Sequence, residues 1–397
     1  MNVYIVAASD AEQDEKRKLR WGDYWFKDSL AKALTALGHT VSANPAECDV
    51  LINCHGSGIE NLPVHTWNVL WVIGHPDRVT ASECQQYDAV YSESDKFAVH
   101  LRRQGIDCGW LPGASDFVPV DLPKTLGKVF VGNNRPGRAG APLRDCIAEL
   151  AGDYAGLAVW GEGWDKLPPG VWQGPDMPHE NLNALYAQAG ELLNDTHPDM
   201  EHWGMHNPRH YDILATRGER VPTFAECAAR IMAGVPAERA MYDLGCGKQA
   251  RRGMIGVDKA GEEPVVCWDL EKGFCGEAYT QPLIDGRTWF VPGVSVIVAD
   301  NVFEHIHNLI PLMNDCHDAL TATGRMHITV PNAGKSLEAA WSDPTHVRPF
   351  FMSSWDYFNG EHPRWREYGQ SYGIKPWRVV YARERDGRFI DVMLRPA

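Results

Sequence analysis

The 397-residue chain has 44% hydrophobic residues and a formal net charge of −14. That apolar content is enough for two or three domains with cores of their own, whereas the negative charge argues against an extended nucleic-acid or anionic-membrane surface. The ten cysteines form no Cys-x-x-Cys pair, and no N-terminal stretch resembles a signal peptide or a membrane span, so the sequence predicts reduced thiols and a cytoplasmic protein.

Short apolar runs alternate with helical patterns over residues 1–122. The runs include NVYIVAAS, CDVLINCHG and WNVLWVIGHP. Phe26, Leu30, Leu34 and Leu37 fall at helical spacing, and Gly38 is placed to end that helix. Strands that alternate with helices predict a parallel sheet covered on both faces, so this segment is expected to form a Rossmann-like domain.

The stretch LPGASDFVPVDLPKTLG is rich in Pro and Gly and predicts a linker near residues 118–126. The alternation then resumes with KVFVGNN, LAVWGEGW and ELLNDT, which predicts a second Rossmann-like domain over residues 123–218.

A third α/β pattern follows over residues 219–397. Its predicted strands are MYDLG, MIGVD, PVVCW, VSVIVAD and MHITVPN, and a helix is marked by Leu309, Leu312, Met313, Cys316 and Leu320. Two extended runs around Asp386-Gly387 predict a terminal hairpin. The expected fold class is therefore α/β throughout, with a third Rossmann-like domain that is closed by an antiparallel hairpin.

A glycine turn follows the first strand of this third domain. Gly245 and Gly247 would let backbone N–H groups approach a ligand, and Asp258, at the end of the next strand, could bind ribose hydroxyls. A dinucleotide site needs a third glycine, where this chain has Ala250, and an acid about 20 residues further on. Only Lys248–Gly253 separate the turn from the next strand, which leaves room for an extended loop but not for a helix.

The turn and the strands after it resemble, in order, the class I S-adenosylmethionine-dependent methyltransferases. CWDLEKG, VADNVFEHI and GRMHITVPN are similar to later strand motifs of that family, and DPTHVRPFFMSSWDYF resembles a segment of its small members that accompany sugar-modifying enzymes. The resemblance implies an S-adenosylmethionine site made by Asp243, Gly245, Gly247, Asp258, Asp269, Leu270, Asp300 and Asn301. The chain departs from the family pattern at Gln249, where a third glycine is usual, and in the missing first helix.

Methyl transfer to a hydroxyl needs the donor carbon in line with the acceptor oxygen, together with a base. His305 and His346 are the candidate catalytic residues, because imidazole accepts a proton near neutral pH. The structural alternative is that His305 orders a loop and His346 pairs with a backbone carbonyl.

Residues 1–218 resemble the GT-B glycosyltransferases, in particular a spore-protein-like subgroup. The motifs that carry the resemblance are WGDYWFKDSLAKAL, LAVWGEGW and HNPRHYDILATRG. It implies a nucleotide-sugar donor bound by Gly132, Asn133, Arg138, Gly161, Trp164, Asn207, Arg209 and Asp212. Asp212 replaces the glutamate of the family, and the second lobe is shorter than in complete members.

Asp23, His75 and Asp77 are the candidate acceptor contacts of the N-terminal domain, with helix and turn capping as the alternative. His202, His206 and His210 lie four residues apart, but Gly204 and Pro208 interrupt a helix between them. No cysteine or carboxylate with zinc-site spacing accompanies them, so the sequence predicts no metal.

Three functional hypotheses follow. The first is a bifunctional enzyme that transfers a sugar from a nucleotide-sugar to a glycan or glycoconjugate and methylates a hydroxyl of the sugar or of its acceptor. The second keeps only the methyltransferase active, with a degenerate sugar-nucleotide-binding module in front of it. The third is an interaction protein without turnover. Nucleic acid is not expected as a partner, because the chain is acidic.

Overall fold

The computed structural model describes residues 1–14, 18–19, 22–55, 62–134, 143–237, 239–260, 265–274 and 293–397. The chain divides into two compact units. Unit 1 comprises Met1–Asn61 and Trp67–Val235, and unit 2 comprises Leu62–Thr66 and Pro236–Ala397. Both units are α/β, as the sequence predicts.

The first sheet of unit 1 has six parallel strands in the order β2-β1-β3-β4-β5-β6. Its strands are β1 (Asn2–Val6), β2 (Thr40–Val41), β3 (Val50–Cys54), β4 (Trp67–Val72), β5 (Ala89–Ser92) and β6 (Cys108–Trp110). Its helices are α1 (Gly22–Ala36), α2 (Ala81–Cys84) and α3 (Asp95–Arg103). Leu37 lies beyond the end of α1 and is 43% exposed, so the apolar face of α1 ends one turn earlier than its sequence spacing predicts.

The second sheet of unit 1 has four parallel strands in the order β10-β7-β8-β9. They are β7 (Leu126–Val131), β8 (Leu157–Trp160), β9 (Trp172–Gly174) and β10 (Ala189–Leu192). The helices after β6 are α4 (Asp145–Ala148), α5 (His179–Gln188), α6 (Pro198–His202), α7 (Pro208–Thr216) and α8 (Phe224–Ala233).

Helix α8 belongs to unit 1, although the sequence pattern placed the start of the third domain at residue 219. Phe224, Cys227, Ala228 and Ile231 are buried in the core of the six-stranded sheet, and the Phe224 ring lies 4.9 Å from that of Phe26 on α1. An amphipathic pattern shows that a helix has an apolar face but not which sheet it covers, so the boundary lies after Val235.

Unit 2 contains one seven-stranded sheet in the order β13-β12-β11-β14-β15-β17-β16. Its strands are β11 (Ala240–Leu244), β12 (Ile255–Asp258), β13 (Val266–Cys267), β14 (Val294–Asp300), β15 (Leu320–Pro331), β16 (Trp377–Arg385) and β17 (Phe389–Pro396). The first five strands in the order are parallel, and β17 is antiparallel to both of its neighbours. Helix α9 (Leu309–Ala319) connects β14 to β15, and α10 (Leu337–Trp341) follows β15.

The terminal hairpin turns at Asp386 and Gly387, which have φ angles of 54° and 64°. Two positive φ angles in succession suit the right-handed twist of a hairpin, and this sequence pair favours them. The predicted antiparallel closure of the sheet is therefore confirmed.

Leu62–Thr66 belong to unit 2 although they lie between two strands of unit 1. Arg325 on β15 is 1% exposed, and its guanidinium donates hydrogen bonds to the carbonyl oxygens of Val64 (3.1 Å) and Thr66 (2.6 Å). A buried guanidinium needs such acceptors, so this short segment completes the core of unit 2.

No helix among the described residues has the length and apolarity needed to cross a membrane.

Candidate functional sites

In the sheet of unit 2, the order of the strands reverses between β11 and β14. Ligands of doubly wound sheets bind at such a point, outside the carboxyl ends of the strands. Gly245 and Gly247 follow β11, Asp258 ends β12, Asp300 ends β14, and Asn301 follows it. Because these strands are parallel neighbours, the structure brings these predicted cofactor residues to one edge of the sheet.

The two glycines of the turn have different structural roles. Gly245 has a φ of 64°, and a Cβ there would lie 2.4 Å from Cγ2 of Val302, so the backbone passes too close for any side chain. Gly247 has a φ of 66°, and no atom of the described residues lies within 4 Å of the position that a Cβ would take there. Its amide donates a 2.9 Å hydrogen bond to Oδ2 of Asp258. The turn is therefore held against β12 and presents open space on its other side.

Arg251 links two of the acids at this edge and was missed by the sequence analysis. Its amide donates to Oδ2 of Asp243 at 2.8 Å, and its guanidinium forms ion pairs with both Asp243 and Asp300. Asp243 is 1% exposed, and this burial raises the pKa of its carboxyl even beside the guanidinium. The sequence feature that could have identified Arg251 is a positively charged residue in a loop that has an acidic residue on either side.

Asp269 and Leu270 lie after β13, next to the end of β12. The carboxylate of Asp269 caps a 3₁₀ turn by accepting a 3.2 Å hydrogen bond from the amide of Glu271, and it lies 3.4 Å from Nζ of Lys259. Leu270 is 6% exposed and packs in the core of unit 2. The position of Asp269 suits a ligand contact, whereas most of the Leu270 surface is already covered.

A second group of polar side chains follows β14 in unit 2 and is called here the Glu304 cluster: Glu304, His305 and His346. One ligand atom from each residue lies within 4.8 Å of those of the other two. Glu304 is 1% exposed, and burial raises the pKa of its carboxyl to about 7. The two imidazole rings meet edge to face with centroids 4.7 Å apart. The sequence analysis named both histidines but did not identify Glu304 as their partner.

Unit 1 contains a cavity of about 970 Å³, which is lined by α1, by the turns after β7 and β8, and by α7. Seven residues predicted to bind the donor or acceptor line it: Asp23, Gly132, Asn133, Gly161, Asn207, Arg209 and Asp212. Arg138 lies outside the described residues. The predicted cleft between two α/β halves is thus present within this unit.

Two arginines of this cavity differ in their pairing. Arg144 forms an ion pair with Asp195. Arg209 donates to the amide oxygen of Asn194 at 3.2 Å and lies over the ring of Phe130 at 5.1 Å. Among the described residues no carboxylate lies within ion-pair distance of Arg209, so its charge remains available to an anion.

Asp212 lies one turn after Arg209 on α7. It accepts a 2.6 Å hydrogen bond from Oγ of Ser115, and burial raises the pKa of its carboxyl to about 6. Asn207 caps the same helix, since its side-chain oxygen accepts from the amide of His210 at 3.2 Å. The N-terminus of α7, Arg209 and Asp212 therefore face the cavity together.

Trp164 does not line the cavity. Its side chain has no exposed surface, and its Nε1 donates a 2.7 Å hydrogen bond to the carbonyl oxygen of Gly132. Trp164 therefore does not make the predicted contact with a nucleotide-sugar, because the neighbouring glycines allow its ring to turn into the core. It positions the backbone of Gly132 instead.

His75 and Asp77 do not line the cavity with Asp23. His75 lies with His197 and Asp199 and has a positive φ of 47°. Burial lowers the pKa of His75, while a hydrogen bond that the protonated Asp77 carboxyl donates to the Asp199 carboxylate raises the pKa of Asp77. Asp23 accepts a 2.6 Å hydrogen bond from the amide of Ser9.

The three histidines at 202, 206 and 210 do not converge. His206 and His210 stack with ring centroids 3.9 Å apart, whereas His202 packs edge to face on Trp203. They are not among the described groups of three potential metal ligands.

No protein-family model matches the chain, and no curated protein matches it in sequence. One solved structure that matches is a SAM-dependent methyltransferase from Archaeoglobus fulgidus, with 16% identity and a TM-score of 0.25 over 42% of this chain and 90% of that one. A TM-score this low supports no conclusion about activity, so the functional argument rests on the sites themselves.

Proposed function

We propose that unit 2 is an S-adenosylmethionine-dependent methyltransferase. The observation that carries the proposal is the convergence of the glycine turn, Asp258 and Asp300 outside the carboxyl ends of β12, β11 and β14, where strand order reverses. This arrangement provides one acid for a ribose and a separate charged region for the other end of the ligand.

Asp258 would bind the ribose hydroxyls. Its two oxygens accept from the amides of Gly247 (2.9 Å) and Ala260 (2.8 Å), which fixes the carboxylate in place. A carboxylate accepts about four hydrogen bonds, so roughly two acceptor positions remain for hydroxyl groups. The open space at Gly247 leaves room for the ligand beside it.

Arg251 and Asp300 would bind the amino-acid end of the methyl donor. That end carries one ammonium and one carboxylate, and the site offers an anion and a cation that contact each other. Asp300 is 38% exposed and Arg251 is 34% exposed, so both still have surface available for a ligand. The guanidinium has five N–H donors and its two ion pairs do not use all of them.

S-adenosylmethionine supplies an electrophilic methyl group on a sulfonium. The acceptor hydroxyl oxygen would form a bond to this carbon as the carbon–sulfur bond breaks, which leaves a neutral thioether and releases the hydroxyl proton. The Glu304 cluster, two of whose members lie in the turn after β14, supplies the groups that would orient the hydroxyl and assist loss of its proton.

Calorimetry of S-adenosylmethionine with the full chain tests this proposal. We expect one site per chain, and we expect Asp258→Ala to weaken binding about tenfold to a hundredfold, through loss of hydrogen bonds from a charged acceptor. Asp318→Ala is the control, because that acid is 54% exposed and pairs with Lys375. Absence of binding to the wild-type chain would overturn the proposal.

For unit 1 we propose a nucleotide-sugar site, favoured by the cavity and by the charge of Arg209, which has no ion-pair partner among the described residues. The N-terminus of α7 and Arg209 suit a diphosphate, and Asp212 suits a ribose. If the site is catalytic, the protein is bifunctional and acts on a glycan or glycoconjugate. If it only binds, the unit is a sugar-nucleotide-binding module beside the methyltransferase.

A thermal-shift screen of nucleotide-sugars tests the unit 1 site, because a ligand that binds the folded state raises its stability. Turnover of a responding nucleotide-sugar in the presence of glycan acceptors then distinguishes transfer from binding alone. No response to any nucleotide-sugar would overturn the proposal for unit 1 and leave that for unit 2 intact.

A further inference from the structure

Each of the three side chains of the Glu304 cluster offers a hydrogen-bond acceptor. Among the described residues, no hydrogen-bond donor lies between these acceptors. Both carboxylate oxygens of Glu304 are buried and have no hydrogen-bond partner in the described part of the chain. Nε2 of His346 lies 4.0 Å from Oε1, which is too long for a hydrogen bond. A buried carboxylate without partners is costly, so its surroundings call for a cation.

The hydrogen bonds of His346 determine which of its ring nitrogens is bare. Nδ1 lies 2.8 Å from the carbonyl oxygen of Ala340. A carbonyl oxygen can only accept, so Nδ1 carries the proton and the neutral ring presents a lone pair at Nε2. Nε2 faces Glu304, and the imidazole is 8% exposed.

The hydrogen bonds around His305 likewise determine which of its ring nitrogens is bare, but they involve one more residue. Oγ1 of Thr345 donates a 2.6 Å hydrogen bond to Oδ1 of Asp343, and it lies 2.8 Å from Nδ1 of His305. A hydroxyl has one proton, so in this arrangement Nδ1 of His305 is the donor and Nε2 is bare. Asp343, Thr345 and His305 thus form a chain that orients an imidazole, as the outer partners of metal-binding histidines commonly do.

The backbone holds the two parts of the cluster together. Glu304 and His305 lie in the 3₁₀ turn Phe303–His305 after β14, whereas His346 comes from the segment after α10. The amide of Val347 donates a 2.7 Å hydrogen bond to the carbonyl oxygen of Glu304. The backbone fold therefore brings the side chains of the cluster together, and the cluster is not an incidental contact between surface side chains.

We propose that Glu304, His305 and His346 bind a divalent transition-metal ion. Two neutral imidazoles and one carboxylate form a donor set that suits Zn²⁺, Co²⁺ or Fe²⁺ better than Mg²⁺, which prefers oxygen ligands. Three protein ligands leave coordination positions open. On the proposed methyl-transfer function, an acceptor hydroxyl would occupy one of them, where the metal would orient it and lower its pKa. Metal binding itself does not depend on that function.

The competing occupant of the cluster is a proton on Glu304. It would satisfy the carboxyl but leave both histidines free to act as bases, as the sequence analysis expected. A metal probe distinguishes the two occupants. If the three side chains are arranged as ligands, the cluster binds the metal selectively. If Glu304 holds a proton and the imidazoles are not arranged as ligands, it has no selective affinity for a metal.

Co²⁺ titration of the chelator-treated full-length chain separates them, with visible d–d absorption and calorimetry as readouts. We expect one Co²⁺ per chain at this cluster, with absorption bands of nitrogen and oxygen coordination. Glu304→Gln and His346→Gln should each weaken binding at least tenfold, since each removes a ligand. Thr345→Val should weaken it less, because His305 keeps its nitrogen but loses its orienting partner.

Two control variants locate the signal. His307→Gln removes an exposed histidine that pairs with Glu271 at 3.0 Å, two residues from the cluster, and should leave Co²⁺ affinity unchanged. His197→Gln disrupts the other described group of three potential ligands, His75, His197 and Asp199, and should also leave it unchanged. Thermal unfolding of each variant shows whether it folds, and Glu304→Gln is nearly isosteric with the native side chain.

Failure of Co²⁺ to bind the wild-type chain overturns the proposal. Retention of wild-type affinity in both Glu304→Gln and His346→Gln, or its loss in His197→Gln, overturns it as well. The S-adenosylmethionine calorimetry described above is independent of this titration, so a failed metal site and a failed methyltransferase are distinguishable.

Discussion

A Cβ on Gly256 would lie 2.8 Å from the Cβ of Ala250. Gly256 is in the middle of β12, and Ala250 belongs to the loop that joins β11 to β12. The missing side chain lets this loop lie directly on the strand, in a connection that is too short for a crossover helix. The Sγ of Cys246 comes closer still, at 2.6 Å from the same position.

Gly256→Ala should therefore destabilise unit 2 and weaken S-adenosylmethionine binding, because the loop that carries Gly245 and Gly247 must move away from β12. The backbone at Gly256 is not left-handed, so the cost comes from overpacking and should be about 1–3 kcal/mol of unfolding free energy. Urea unfolding and calorimetry measure the two effects. Gly22→Ala is the matched control, since in the described part of the chain nothing lies within 4 Å of its Cβ position. Equal effects of the two substitutions would contradict this account.

Arg251→Met should destabilise unit 2, because it leaves the buried carboxylate of Asp243 without its cation. Arg251 is one-third exposed, so we expect a loss of about 1–3 kcal/mol, less than for a fully buried pair. The pKa of Asp243 is already raised by burial and would rise further, so the loss should increase with pH as that carboxyl ionises.

Urea unfolding at several pH values measures this loss. Arg252→Met removes the adjacent exposed arginine and should change little. A loss that is the same for both arginines, or that shrinks as the pH rises, would show that the Asp243 pair is not its source.

Glu93 should make the stability of unit 1 decrease as the pH rises. Burial raises the pKa of this carboxyl to about 8, while the hydroxyl of Tyr211 and the amide of His206 contact it. The folded state therefore keeps a proton that the unfolded state releases above its ordinary pKa of 4.5. The unfolding free energy should fall between those two pKa values and level off above about pH 8.

Glu93→Gln should flatten this pH dependence, because an amide cannot ionise. Unfolding midpoints of the full chain from about pH 5 to about pH 9 measure it. Glu219→Gln, at an exposed position, should keep the wild-type slope. If Glu93→Gln and the wild type show parallel curves, another group is responsible.

Arg209→Gln should abolish most of the response of unit 1 to nucleoside diphosphate-sugars. The lost charge-assisted hydrogen bond corresponds to about tenfold to a hundredfold in Kd. Arg217→Gln, at the exposed end of the same helix, is the control and should bind as the wild type does. If Arg209→Gln binds nucleoside diphosphate-sugars as the wild type does, the diphosphate binds elsewhere. Calorimetry or thermal shift provides the measurement.

Local sequence signals predicted most of the elements and the fold class. Buried strands such as β11 and β14 are mostly apolar runs, and Asp386-Gly387 marks the hairpin, because these features depend on neighbouring residues alone. The boundary of the units was harder to predict. Helix α8 has the apolar spacing of any packed helix, and only the tertiary structure shows that Phe224 meets Phe26.

The candidate sites were predictable where one strand end carries its own side chain, as at Asp258. They were not predictable where groups far apart in sequence meet. His346 is 42 residues from Glu304, and nothing in the spacing indicates that the two face each other. Trp164 illustrates the reverse case, because a tryptophan beside glycines suits either a ligand or a core, and the hydrogen bond to Gly132 decides for the core.

The bonds from Arg325 to Val64 and Thr66 also set an order of events during synthesis. The two carbonyl groups leave the ribosome 261 and 259 residues before the guanidinium that binds them. Unit 2 therefore cannot be completed until its own β15 has emerged. A fragment that begins at Pro236 would leave a buried cation without two of its acceptors, so cutting the chain at that boundary would not yield a finished domain.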